Sequence, residues 1–104
     1  MDIDKTLKER GSDYGPFSEQ AKQEQVIKAA FAQSNNWAEL RDDQRAALEM
    51  TAVKISRILT GNMFHYDSWH DIEGYIRLIT RTLDPDDVSQ KPLDLKGLAY
   101  SADK

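Results

Sequence analysis

Apolar residues recur at spacings of three and four along most of the chain, and polar breaks divide them into four helical patterns. A short first helix is expected over about Ile3 to Arg10, stopped by Gly11, the residue type most common just past a helix end. The stretch Gly11-Ser12-Asp13-Tyr14-Gly15-Pro16 follows, dense in turn formers. A second helix should begin at Ser18, whose hydroxyl can cap free N–H groups. Val26, Ile27, Ala30 and Phe31 form its apolar stripe, while Gln20, Glu24 and Lys28 lie one turn apart on another face and suit solvent. The pattern ends near Ser34-Asn35-Asn36, and Trp37 and Leu40 are placed to pin the connection to the core.

The third helix has the clearest signals. Asp42 or Asp43 supplies negative charge at its N-terminus and Gly61 closes it. Leu48, Ala52, Ile55 and Leu59 fall within about 40° of one another on a helical projection, with Glu49 and Ser56 along one margin and Lys54 near the other. Arg57 projects roughly opposite this stripe. A short aromatic loop, Met63-Phe64-His65-Tyr66, leads to a fourth helix capped by Asp67 or Ser68, with Ser68 and Asp71 at capping-box spacing. Trp69, Ile72, Ile76, Ile79 and Leu83 form its core stripe, and Asp67, Asp71, Gly74 and Leu78 a second stripe on the far side. A glycine inside a helix costs about 1 kcal/mol relative to alanine. Gly74 therefore predicts close approach of another helix, so that this helix packs on two sides.

These patterns define an all-α fold: a compact bundle of about four helices over residues 1–84, with an extended C-terminal tail over 85–104. Leu93, Leu95, Leu98 and Tyr100 in the tail suit docking on this domain or on a neighbouring subunit. At 104 residues and 39% apolar composition the chain forms one domain, lean in core-building residues for a monomer, which points to a homo-oligomer. It has no cysteine, so neither disulfides nor thiolate metal sites are available. No apolar run approaches the roughly 18 residues of a membrane span, and the N-terminus lacks the blocks of a signal peptide. A cytoplasmic address is expected. The net charge of −4, with no long basic cluster, disfavours nucleic acid as a partner.

Three groups of residues can carry chemistry. Asp67 and Asp71 stand one turn apart, and Glu49 could join them if the third and fourth helices run antiparallel; carboxylates so placed can share Mg²⁺. The same aspartates also suit capping and the positive end of a helix. Lys54 and Arg57 could hold phosphate oxygens, or pair with those aspartates. Tyr14 and the loop Phe64-His65-Tyr66 could stack on a flat ligand or lid the core, and Gly15 implies an unusual backbone angle or a close approach. Nucleophile elbows and glycine-rich phosphate loops are absent from the sequence.

Arg10-Gly11-Ser12-x-Tyr14-Gly15-x-Phe17, then Ala47-Leu48-Glu49-Met50-x-Ala52-x-Lys54-Ile55-Ser56-Arg57-Ile58-Leu59-x-Gly61, then Asp67-Ser68-Trp69-x-Asp71-Ile72-x-Gly74-Tyr75 resembles a family of small phage and prophage proteins of unknown function, over about residues 9 to 83. The last block is also distantly similar to the MazG-like all-α nucleoside triphosphate pyrophosphatases. That resemblance implies a helical, oligomeric protein that holds Mg²⁺ with Glu-x-x-Glu and Glu-x-x-Asp and splits nucleoside triphosphates into monophosphate and pyrophosphate. On it, Asp71 is the final acid and Glu49 the first. Ala52 and Ser68 replace the other two, unless Asp67 substitutes for one.

Two functions follow as expectations. One is a nucleotide-directed helical protein, a Mg²⁺-dependent pyrophosphatase relative or a non-catalytic binder, with Glu49, Asp67 and Asp71 at the metal and Lys54, Arg57 and Tyr14 at the nucleotide. The other is a protein-interaction module, a phage factor that binds a host protein.

Overall fold

The structure, a computed structural model, describes residues 2–86. Four helices follow in order: α1 (Ile3–Tyr14), α2 (Phe17–Ala32), α3 (Asp42–Thr60) and α4 (Tyr66–Thr80), with a 3₁₀ turn at Trp37–Glu39 before α3. No strand occurs among the described residues, so the all-α expectation holds there. The tail beyond residue 86, and with it the expectation that it docks, lies outside the described residues. No helix among them is long and apolar enough to cross a membrane.

Helix ends moved where local signals competed. Gly11 does not stop α1, which continues to Tyr14. The cost of an internal glycine is only about 1 kcal/mol, and the stronger break lies just beyond. There Gly15 takes φ 81°, and Pro16, extended at φ −61° and ψ 133°, leads directly into α2 at Phe17. Ser18 therefore sits within the first turn and caps nothing. Helix α4 likewise begins at Tyr66, ahead of the expected Asp67 or Ser68 cap. His65 occupies the capping position, and its Nδ1 lies 3.1 Å from Ser68 Oγ. Neither the His65 nor the Ser68 side chain caps the helix through its backbone, so the capping box expected for Ser68 and Asp71 does not form. Helix α3 matches its signals: Arg41 N–H donates to Gln44 Oε1 (2.9 Å), Asp42 and Asp43 occupy the first turn, and Gly61 follows the last residue.

Helix α3 is the centre of the bundle, packed mainly on α4 and α2. Arg41 at its start donates to Thr82 Oγ1 past the end of α4 (2.8 Å), and Lys54 reaches Asp71 near the start of α4. The two helices are therefore antiparallel. Ahead of α3, Phe31 stacks on Trp37 at 5.2 Å and Arg45 Nη1 donates to the Trp37 and Ala38 carbonyls, which fixes the connection from α2.

The packing faces differ from those expected. The fully buried positions of α3 are Ala47, Thr51, Ala52 and Ser56, a run of small side chains that lets neighbours approach. Of the expected stripe only Ala52 is fully buried, and Leu59 is exposed. In α2 the pattern holds only in part: Ile27 and Phe31 are half-buried, but Val26 is 59% exposed and Ala30 is exposed, while Gln20 is buried and the Glu24–Lys28 pair (2.8 Å) is mostly shielded. Of the stripe expected on α4, Trp69 and Ile76 are exposed, as is Leu83 beyond the helix end, and Ile72 and Ile79 are half-buried. A Cβ at Gly74 would meet nothing within 4 Å. No helix of the described chain closes on it, contrary to the expectation drawn from that glycine.

Candidate functional site

Backbone contact between two glycines builds the corner where the site residues meet. The left-handed Gly15 lies so close to the end of α3 that a Cβ there would overlap the Thr60 carbonyl, and a Cβ at Gly61 would overlap the backbone of Tyr14. Asn62 N–H donates to the Asp13 carbonyl (2.7 Å), and Thr60 Oγ1 lies within hydrogen-bonding distance of the Tyr14 (3.1 Å) and Ser56 (2.8 Å) carbonyls. The α1–α2 turn is thereby fastened to the α3–α4 loop.

This fastening carries Tyr14 to Arg57. The Arg57 guanidinium carbon stands 4.4 Å from the centre of the Tyr14 ring, and His65 meets the same ring edge-on at 5.3 Å. Arg57 is half-buried rather than projecting away from the core, and its buried Nε–H has no hydrogen-bond acceptor among the described residues. An unpaired buried donor costs about 1–3 kcal/mol, and a cation over an aromatic face returns roughly 0.5–2 kcal/mol. The ring therefore offsets part of that penalty.

One turn earlier on α3, Lys54 Nζ lies 3.0 Å from Asp71 Oδ2, with the Lys54 side chain 13% exposed and that of Asp71 41%. The hydrogen bond from Lys54 holds the Asp71 carboxyl below its ordinary range against the opposing effect of desolvation, helped by the positive charge of Lys54 and, more weakly, of His70 and Arg57. Asp71, with His70, Gly74, Tyr75 and Leu78, lines an open groove of about 390 Å³ on α4. A second groove of about 410 Å³, mostly apolar, is lined by Ala46, Ala47 and Met50 of α3 and by Tyr75, Leu78 and Ile79 of α4.

Of the residues singled out from sequence, the structure brings together Tyr14 with Arg57 and Lys54 with Asp71. It does not gather Glu49, Asp67 and Asp71: no group of three or more His, Asp or Glu side chains placed to hold a metal occurs among the described residues, and Glu49 and Asp67 are exposed. The carboxylate best placed on α4 already accepts from Lys54. These donors do not fit Mg²⁺, which needs several oxygens around one point. Phe64 and Tyr66 are exposed, so they are not core lids, and Tyr66 stacks on His70 at 5.4 Å.

The helical patterns do not single out Thr60 for this corner, and they mark Ser56 and Ser68 only as a stripe margin and a helix cap. Ser56 and Ser68 are buried, Ser56 Oγ donating to the Val53 carbonyl (2.6 Å). The available signal was the row of small polar residues Ser56 and Thr60 leading to Gly61, which marks a close backbone approach.

Comparison of the chain with protein-family models, with curated proteins and with solved structures finds no match.

Proposed function

We propose that this chain is a helical protein-interaction module, a phage-type factor that acts by binding another protein. The observation that carries this reading is the makeup of its interior. Among the described residues the only buried apolar side chains are Ala47 and Ala52, whereas Val26, Met50, Leu59, Trp69, Ile76 and Leu78 are exposed. Burying one such side chain stabilises by about 1.5–3 kcal/mol, so several left in water represent much of a small domain's stability. Single exposed apolar residues are ordinary. A helix such as α2, which shields its charged ladder while Val26 and Ala30 face outward and Ile27 and Phe31 are only half-buried, is not. An interaction partner that covers apolar surface supplies the missing burial. The test is cross-linking of the full chain in cells, comparing wild type with Met50→Asp/Leu78→Asp. A discrete set of partners lost in the variant, with helical content unchanged, is expected. Identical cross-links in both would sink the reading.

A second reading, a non-catalytic nucleotide binder, is favoured by the convergence of Lys54, Arg57, Tyr14 and Asp71 on one corner. A phosphate there would take Lys54 from Asp71, and a base would take the Tyr14 face from Arg57. Both exchanges lower affinity, which is why this reading ranks second. Thermal melting across nucleoside mono-, di- and triphosphates and cyclic nucleotides, with and without Mg²⁺, decides it. Ligand at about 100 times its Kd adds roughly 2.7 kcal/mol of apparent stability. A flat response throughout the panel removes this reading.

A further inference from the structure

We propose that the α4 face centred on Gly74 packs against the same face of a second copy of this chain, the two α4 helices antiparallel across a two-fold axis at Gly74. The inference rests on the reading that a partner covers exposed apolar surface of this chain, and it assigns the α4 part of that surface to a second copy.

Three observations converge on that face. Gly74 is exposed and has open space above it, so it gains nothing among the described residues from lacking a side chain. A second helix crossing there would use the gap, since interaxial distances near the lower end of about 8–10 Å require small residues at the crossing. The charge along the stripe is self-complementary. Asp67 lies seven residues before Gly74 and Arg81 seven after, so both fall within about 20° of Gly74 around the axis, roughly two turns to either side. Both are exposed, and neither makes an ion pair among the described residues. A two-fold axis at Gly74 sets Asp67 of each copy against Arg81 of the other. A parallel pairing would instead oppose Asp67 to Asp67 and Arg81 to Arg81. Finally, Leu78, 48% exposed, lies four residues past the axis. In the second copy it falls opposite His70 and Asp71, over the groove of about 390 Å³ that those residues line with Gly74. Such an interface is isologous, the commonest kind in homo-oligomers. It also places the Lys54–Asp71 pair at the boundary between subunits.

The absence of cysteine from the chain makes the geometry directly testable. In full-length Gly74→Cys the two thiols meet at the axis within the short Cα separation a disulfide requires. Mild oxidation should therefore give a covalent dimer on a non-reducing gel, and Glu39→Cys, at an exposed position away from α4, should not. Sedimentation of the unmodified chain should show a dimer. Asp67→Arg and Arg81→Asp singly should each weaken it by about tenfold or more, and the double swap should restore it. A dimer insensitive to all these changes overturns the proposal, as does a monomer. Alkylation of Gly74→Cys then separates the causes. Slow reaction in a monomer means that residues 87–104 of the same chain cover the face. Fast reaction means that the face is bare, and the interaction reading itself loses its support.

Discussion

Lys54 Nζ and Asp71 Oδ2, 3.0 Å apart, tie the middle of α3 to the first turns of α4. The pair is asymmetric: the lysine side chain is largely shielded and the carboxylate keeps contact with water. Removing either member consequently has different results, because only the lysine would be left short of solvent.

Asp71→Asn should therefore destabilise by about 1 kcal/mol, and the double variant Lys54→Met/Asp71→Asn by less than the single one. Denaturant titration of wild type, both single variants and the double variant gives the coupling directly. Asp71 titrates below its ordinary value of 3.8 in the folded chain, mainly through the Lys54 hydrogen bond. A lowered folded pKa means that the contribution is complete above the unfolded value and fades as pH falls toward the folded one. The gap between wild type and Asp71→Asn should hold from neutral pH to about 5 and close below about 4. A gap unchanged at the acidic end would refute the assignment.

Gly15→Ala and Gly61→Ala should both be severe, by about 2–5 kcal/mol each. At Gly15 the left-handed φ alone costs about 1–2 kcal/mol, and the added methyl meets the immobile Thr60 carbonyl. For a domain of this size each kcal/mol lowers the Tm by roughly 4–8 °C, so losses above about 8 °C are expected. A smaller loss in calorimetry would show that the two backbones are not in close contact.

What was legible in the sequence was chiefly local. Asp42, Asp43 and Gly61 mark the ends of α3 because caps act within one turn, and the four helical patterns survive in the structure. The facing of the helices was less legible. Periodicity weights large apolar residues, but α3 turns inward the small ones, Ala47, Thr51, Ala52 and Ser56, since it must admit both α2 and α4 closely. Gln20 and Glu24 read as solvated because their shielding depends on those neighbours. At the corner, Tyr14, Gly15, Lys54, Arg57 and Asp71 were visible as residue types with unusual placing. That Glu49 does not join Asp67 and Asp71 in one cluster, and that α4 starts after His65 rather than at Ser68, follows from the α3–α4 turn, which no spacing within one helix specifies.

Arg57→Met should change stability by no more than about 1 kcal/mol despite removing a half-buried cation. It loses the contact with Tyr14, worth roughly 0.5–2 kcal/mol, but also deletes the buried Nε–H that has no acceptor among the described residues. Arg57→Glu gains no such relief and sets a carboxylate against the ring face, so it should be clearly less stable. Equal losses from both, measured by urea unfolding, would mean that charge at this position is not what matters.

Gly74→Ala separates the chain from its assembly. Among the described residues of one chain the new methyl meets nothing, and alanine favours the helix by up to about 1 kcal/mol over glycine. In dilute solution the variant should melt some 4–8 °C above wild type. At an antiparallel crossing on Gly74, however, two methyls would stand between the helices. Wild type should gain Tm on concentration, as any protein stabilised by association does, and the variant should gain less. Over about a hundredfold range of protein concentration the two melting curves should thus converge or cross. Parallel curves, with alanine ahead throughout, would mean that no helix comes close to this glycine.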